Sequence, residues 1–159
     1  MTILSDKSII ESIKNNEIII DPFKTENLTP NGYDLTVDEI EIPTKEKTSK
    51  RNLTIAPGER FAISTKETIS CGENFCAQLW LRTSWARKGI ICSFGKIDSG
   101  FKGNLTLLGL NAGKDNVVIE IGNTFAQIVF ETLSTTADEL YAERSGNYQN
   151  QKGITWSRE

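Results

Sequence analysis

Short apolar runs of period two, each closed by a turn signal, narrow the folds open to this chain more than any other feature. Tyr33, Leu35 and Val37 alternate with other residues, as do Phe61, Ile63 and Thr65, then Phe75, Ala77, Leu79 and Leu81. Further runs cover Leu105 to Leu110, Val117 to Ile121 and Phe125 to Leu133, and Ile18-Ile19-Ile20 is a short one stopped by Asp21-Pro22. Between them stand Thr29-Pro30-Asn31-Gly32, Pro57-Gly58, Cys71-Gly72, Ser99-Gly100 and Gly122-Asn123. Alternation places successive side chains on opposite faces of a strand. Many short strands at near-regular spacing predict an all-β sandwich or jelly roll, not a parallel α/β sheet.

Only the start departs from this period. Ser5 suits an N-cap, Asp6 the positive end of a helix dipole, and Ile9, Ile10 and Ile13 share one helical face. A helix ended by Asn15-Asn16 is expected, too short to persist unaided and so packed on the body as a lid. The 159 residues are read as one domain, with a helix and strand in 1–20 and an arm in 140–159. Residues 44–52 read as a solvated charged loop. Several strands are apolar on both faces: Trp80 sits between Leu79 and Leu81, and Leu107 adjoins Leu108. In so small a domain, this predicts that one face meets another subunit, in a trimer or a dimer.

What the chain lacks bounds its chemistry. It has no histidine, which excludes Ser–His–Asp and Cys–His nucleophile systems and histidine-ligated metals. A general base must then be a carboxylate, an amine, a thiolate or a tyrosine. The net charge of −3 offers no basis for wrapping polymeric nucleic acid, though a small phosphate ester remains possible. Cys71, Cys76 and Cys92 lack CxxC spacing and read as small buried hydrophobes in a reducing compartment. No apolar run approaches the roughly 18 residues of a membrane span, and no leader pattern opens the chain, so the expectation is a cytoplasmic protein without membrane contact.

Polar clusters interrupt the apolar strands. Asn31-Gly32-Tyr33-Asp34-Leu35 puts an acid just inside a strand, where turn capping alone would explain it. Arg82-Thr83-Ser84-Trp85-Ala86-Arg87 offers two guanidinium groups and two hydroxyls within six residues, a set suited to a polyphosphate or, equally, to a solvated loop. Gly95 to Gly103 brackets Asp98 and Phe101 with glycines that allow backbone to approach a ligand closely. Ala126-Gln127 places an amide in an apolar strand, where it needs a partner from a ligand or a neighbouring subunit. Tyr148-Gln149-Asn150-Gln151-Lys152-Gly153, followed by Trp156, is a polar tail that is either a closing arm or a frayed end.

In this order, the clusters resemble the dUTPase and dCTP deaminase superfamily over nearly the whole chain. Ile3-Leu4-Ser5-Asp6 and Ile20-Asp21-Pro22-Phe23 are similar to the deaminase branch, including its archaeal bifunctional members. Gly32-Tyr33-Asp34-Leu35, Arg82-Thr83-Ser84, Gly95 through Gly103 and Phe125-Ala126-Gln127 are similar to the first four dUTPase motifs. The tail is similar to the deaminase-type arm. The resemblance implies a distorted jelly roll, a homotrimer with sites shared between subunits, and a magnesium-dependent reaction on a deoxynucleoside triphosphate. Deaminases of this superfamily carry a catalytic Glu after a Leu-Thr-Leu-like run; here Leu105-Thr106-Leu107 is followed by Leu108. The zinc-deaminase pattern is missing too. The expected activity is therefore dUTP hydrolysis to dUMP and pyrophosphate. The alternatives are a dCTP deaminase, a bifunctional dCTP deaminase/dUTPase, and a non-catalytic nucleotide-binding regulator.

By the same resemblance, Asp98 is the base that activates water and also accepts a bond from the 3′-hydroxyl. Asp34 holds a magnesium ion through water. Arg82, Thr83, Ser84, Arg87 and Gln127 bind the triphosphate, Phe101 packs on the deoxyribose, and backbone around Gly95 and Ile97 reads uracil. Tyr148, Gln151 and Gly153 close over the phosphates. Besides Leu108, the chain departs from the family at Thr83, which replaces the usual Ser, at Phe101, which replaces the usual Tyr, at Asn147, which replaces a Lys of the deaminase arm, and in a tail one residue shorter between Tyr141 and Tyr148.

Overall fold

A computed structural model describes residues 2–43 and 51–157, so most of the charged loop expected at 44–52 lies outside the described residues. The elements run α1 (Asp6–Lys14), β1 (Ile18–Asp21), a 3-10 turn at Thr25–Asn27, β2 (Leu28–Thr29), β3 (Gly32–Glu41), β4 (Leu53–Ile55), β5 (Arg60–Thr65), β6 (Thr68–Cys71) and β7 (Phe75–Leu81). They continue with α2 (Thr83–Ala86), β8 (Ile90–Cys92), β9 (Lys96–Ile97), β10 (Lys102–Gly103), β11 (Thr106–Asn111), β12 (Val117–Ile119), β13 (Thr124–Thr132) and α3 (Tyr141–Arg144). The fold is mostly β, as the alternation predicts. The helix is where its signals put it: Ser5 Oγ accepts the Ser8 N–H at 3.3 Å, and Ile9 is fully buried.

The main sheet has the order β8-β11-β5-β3-β13-β7-β9, with β2 on β3 and every pairing antiparallel. It curls because the register slips between Val37 and Glu39 and again between Thr124 and Ala126; an extra residue on one strand bends it and increases its twist. Two smaller sheets, β1-β6-β10 and β12-β4, complete the distorted barrel. Phe61, Phe125 and Trp85 form the aromatic centre, with Phe61 edge-on to Phe125 at 6.0 Å and Trp85 tilted on it at 5.5 Å. Burying aromatic and branched side chains of this size is the main stabilising term.

Strand β3 is buried at every position from Gly32 to Val37. Asp34 and Thr36, the polar half of the alternation, are therefore inside as well. Thr36 is satisfied by Glu67, which is only 1% exposed and accepts the Thr36 N–H at 2.9 Å and its hydroxyl at 2.7 Å. Burial raises the Glu67 pKa above the ordinary value, and the bonds from Thr36 oppose that rise only in part. A carboxyl that holds its proton more tightly folded than unfolded loses stability as pH climbs from the unfolded pKa through the folded one. Glu67→Gln keeps two hydrogen bonds available and carries no charge. Its melting temperature should therefore gain on wild type as pH rises through that window, in a paired pH series of thermal melts. Glu67→Ala strands the Thr36 amide and leaves a void, at a cost of about 2–3 kcal/mol.

All three cysteines are free; Cys71 and Cys76 are buried. Burial pushes all three thiols up, that of Cys92 to about 12, so they stay protonated and serve as packing groups. No helix among the described residues is long and apolar enough to cross a membrane. Trp80 and Ile91, each 59% exposed, and Leu108, 39% exposed, leave apolar surface uncovered on a single chain.

Candidate active site

The bend that carries Asp98 follows from its own residues. Phe101 N–H bonds to the Asp98 carbonyl at 3.2 Å, closing a four-residue turn whose third position, Gly100, has φ +82°. A type II turn needs that sign at that position, hence the glycine. A Cβ on Gly100 would also meet Leu140 Cβ at 2.7 Å. Ser99 anchors the bend from behind by donating to the Glu73 carbonyl at 2.8 Å. The exposed Asp98 carboxylate projects from a bend that is fixed on both sides.

Asp98 opens onto a cavity of about 460 Å³, within the usual size range of small-ligand pockets. Gly95, Ile97 and Phe101 form one wall, and Leu79, Leu105, Leu107 and Leu108 an apolar one. A Cβ at Gly95 would meet nothing within 4 Å, so that backbone borders open space. Phe101 is only 6% exposed and presents an edge, its ring set against Tyr141 at 5.5 Å. Asp98 is the one carboxylate among the described residues that line this cavity.

The tail is a closing arm, not a frayed end. Asn150 N–H donates to the Lys102 carbonyl at 2.7 Å. Asn104 and Gln151 exchange bonds, Asn104 N–H to the Gln151 carbonyl at 3.1 Å and Gln151 Nε2 to the Asn104 carbonyl at 2.5 Å. Thr155 N–H reaches Thr106 Oγ1 at 2.9 Å, and Trp156 Nε1 reaches Glu41 at 2.6 Å. Tyr148, Gln151 and Trp156 thereby become part of the cavity wall. Gly153 does not line it; its φ is +63°, and it lies where a Cβ would come within 2.9 Å of Glu39 Oε2.

The remaining predicted residues form a second cluster at the far end of β7. Asp34 Oδ2 pairs with Arg82 Nε at 3.0 Å, and the Arg82 guanidinium also bonds Thr124 Oγ1. Asp34 is thus an ion-pair partner within β3, not a turn cap. Burial raises its pKa, and Arg82 works against that rise. Gln127 lies opposite Asp34 on the adjacent strand, and its amide partner comes from this chain, since Nε2 donates to Thr29 Oγ1 at 3.0 Å. Trp85 is buried and donates to the Thr124 carbonyl at 2.9 Å. Around that anchor Thr83 and Ser84 on α2 and Arg87 at its C-cap are all exposed. A stretch that reads as an irregular loop therefore carries one helical turn.

The two clusters do not meet within one chain. Ile97 pairs with Ala77, and Arg82 lies five residues further along that strand, roughly 17 Å at the rise of a β-strand. Among the described residues, no three His, Cys, Asp or Glu side chains group to hold a metal ion. Asp34 Oδ1 is buried with no donor. A lone carboxylate with one unsatisfied oxygen fits an ion carried by its own waters, and does not fit a protein cage.

Tyr141 and Leu79 also line the cavity, and nothing in the sequence marks either as a site residue. A tyrosine at the start of a polar arm carries no local signal of its role.

A family model described as dCTP deaminase-like matches residues 37–133. A dCTP deaminase of Thermococcus gammatolerans is 37% identical over 145 residues, 89% of this chain and 90% of that protein. A probable deoxyuridine 5′-triphosphate nucleotidohydrolase of Sulfolobus islandicus rod-shaped virus 1 is 31% identical over 160 residues, 99% of each chain. Among solved structures, a 2′-deoxycytidine 5′-triphosphate deaminase from Agrobacterium tumefaciens matches with a TM-score of 0.71 at 16% identity. That match covers 82% of this chain but only 48%, about half, of the other, and it carries the fold alone. With relatives bearing both activity names and the fold in common, the chain belongs to the dCTP deaminase-like family.

Proposed function

We propose that the chain hydrolyses dUTP to dUMP and pyrophosphate. One observation carries this choice over deamination. Leu108, which stands where deaminases of the superfamily have their proton-shuttling Glu, lines the same cavity as Asp98. A leucine cannot relay a proton between water and an amine, and no other carboxylate among the described residues faces that space. Hydrolysis at phosphorus needs only one base, and Asp98 is exposed, held on a fixed bend, and beside the walls suited to base and sugar.

In the proposed reaction, Asp98 takes a proton from a water as that water attacks the α-phosphorus. The bond to the bridging oxygen breaks, and pyrophosphate departs. Arg82, Thr83, Ser84, Arg87 and Gln127 bind the phosphate chain and stabilise the charge that moves onto the leaving group. Phe101 backs the sugar, and backbone at Gly95 and Ile97 meets the base. Tyr148 and Gln151 cover the site, with Gly153 supplying the arm's turn behind it. Magnesium, when bound, draws charge from the phosphate oxygens; Asp34 would hold one of its waters.

The gap between Asp98 and Arg82 is wider than one side chain bridges, which supports a site built from two copies, the cavity of one completed by the arginine cluster of the next. Head-to-tail contacts of that kind close into rings, and a homotrimer is the ring that the resemblance implies. The uncovered Trp80, Ile91 and Leu108 offer apolar surface for such contacts. The 37% identity to a dCTP deaminase favours the second reading, deamination of dCTP. Product identity tests the choice, because hydrolysis of dUTP frees pyrophosphate and deamination of dCTP frees ammonia.

A further inference from the structure

Tyr141 belongs to none of the motifs, yet it makes three separate attachments around Asp98. Its backbone N–H donates to the Ser99 carbonyl at 2.8 Å, one residue past the carboxylate. Its ring stands edge-on to Phe101. Its hydroxyl accepts the Tyr148 N–H at 3.0 Å, at the point where the arm begins to cross the cavity. The short helix that begins with it is itself braced, by Glu143 accepting the Leu140 N–H at 2.9 Å and by the Arg144–Glu139 ion pair at 3.1 Å. Tyr141 also lines both the 460 Å³ cavity and a second one, of about 320 Å³, and Asp98 lines both as well.

We propose that Tyr141 is a positioning residue that ties the arm to the Asp98 bend, so that arm closure and the placement of Phe101 and Asp98 are coupled through one side chain. The hydroxyl serves the arm and the ring serves the bend, while the backbone bond to Ser99 is common to both. The kinetic consequence rests on the dUTP-hydrolase reading; the consequence for the arm does not.

Tyr141→Phe removes only the acceptor for the Tyr148 amide. Amide hydrogen exchange over residues 148–151 should quicken, and KM for dUTP should rise roughly fivefold, the effect of one lost hydrogen bond, with kcat within about twofold of wild type. Tyr141→Leu also removes the ring behind Phe101, and its kcat should fall as well. A merely structural tyrosine would lower the melting temperature without dividing KM from kcat in this way. Unchanged exchange in Tyr141→Phe overturns the proposal. Faster exchange with unchanged KM overturns the coupling to the site, and a Tyr141→Leu variant with the kcat of Tyr141→Phe overturns the part assigned to the ring. Should wild type fail to hydrolyse dUTP, the proposed function falls, and the exchange measurement alone decides whether Tyr141 holds the arm.

Discussion

Asp98→Asn is expected to reduce dUMP formation by about 10²–10⁴-fold, the usual contribution of a positioned general base, with an unchanged melting curve. The two side chains have nearly the same shape, and the carboxylate is exposed, so little folding energy depends on its charge. The turn persists, because Phe101 N–H is held by the Asp98 backbone carbonyl and Ser99 by the Glu73 carbonyl. Nucleotide binding should also persist, because the amide still presents an oxygen to the 3′-hydroxyl. The measurement is pyrophosphate release from saturating dUTP, alongside a thermal melt. Undiminished turnover would remove Asp98 from the reaction. With no histidine in the chain and no second carboxylate among the described cavity residues, the proposed carboxylate mechanism would then fall.

A second large effect should come from mixing two inactive proteins. Arg82→Ala removes a guanidinium from the proposed phosphate-binding cluster and leaves Asp34 buried without its cation, so its activity with dUTP should be very low. If each site takes its base from one copy and its arginine from the next, random mixing of Arg82→Ala with Asp98→Asn gives sites with both groups intact. About a quarter of wild-type activity should then return, the share expected for any head-to-tail ring. The mixture must be exchanged through a partly dissociated state and compared with each variant treated alone. If both variants are inactive and the mixture remains so, the two clusters belong to one copy and the shared site is refuted.

The parts legible in the sequence are those whose signal is local. The alternation of Phe75–Leu81 and Phe125–Leu133 marks β7 and β13 directly, and Ser5-Asp6 marks the start of α1. Trp80 between two leucines announces uncovered apolar surface, and at 59% exposure it has that surface on a single chain. Strands β9 and β10 are two residues each, too short for any period to register. The pairing of Asp34 with Arg82 joins residues far apart in sequence through neighbouring strands, so Asp34 alone reads only as a turn acid. Glu67 is indistinguishable from a surface glutamate until the burial of both faces of β3 is known. The arm follows the same rule: its polar composition fits a loose tail, and only the reciprocal Asn104–Gln151 bonds and the Tyr141 hydroxyl show it fastened.

The choice proposed here between hydrolysis and deamination turns on Leu108, which lines the cavity beside Asp98, and product analysis addresses it directly. The purified protein is incubated with magnesium and, separately, dUTP or dCTP, and both pyrophosphate and ammonia are quantified. Pyrophosphate and dUMP in equal amounts from dUTP, with no ammonia from dCTP, is the predicted result. Ammonia from dCTP would contradict it, because a proton would then have been relayed to the leaving amine in a cavity where Leu108 stands in place of the glutamate.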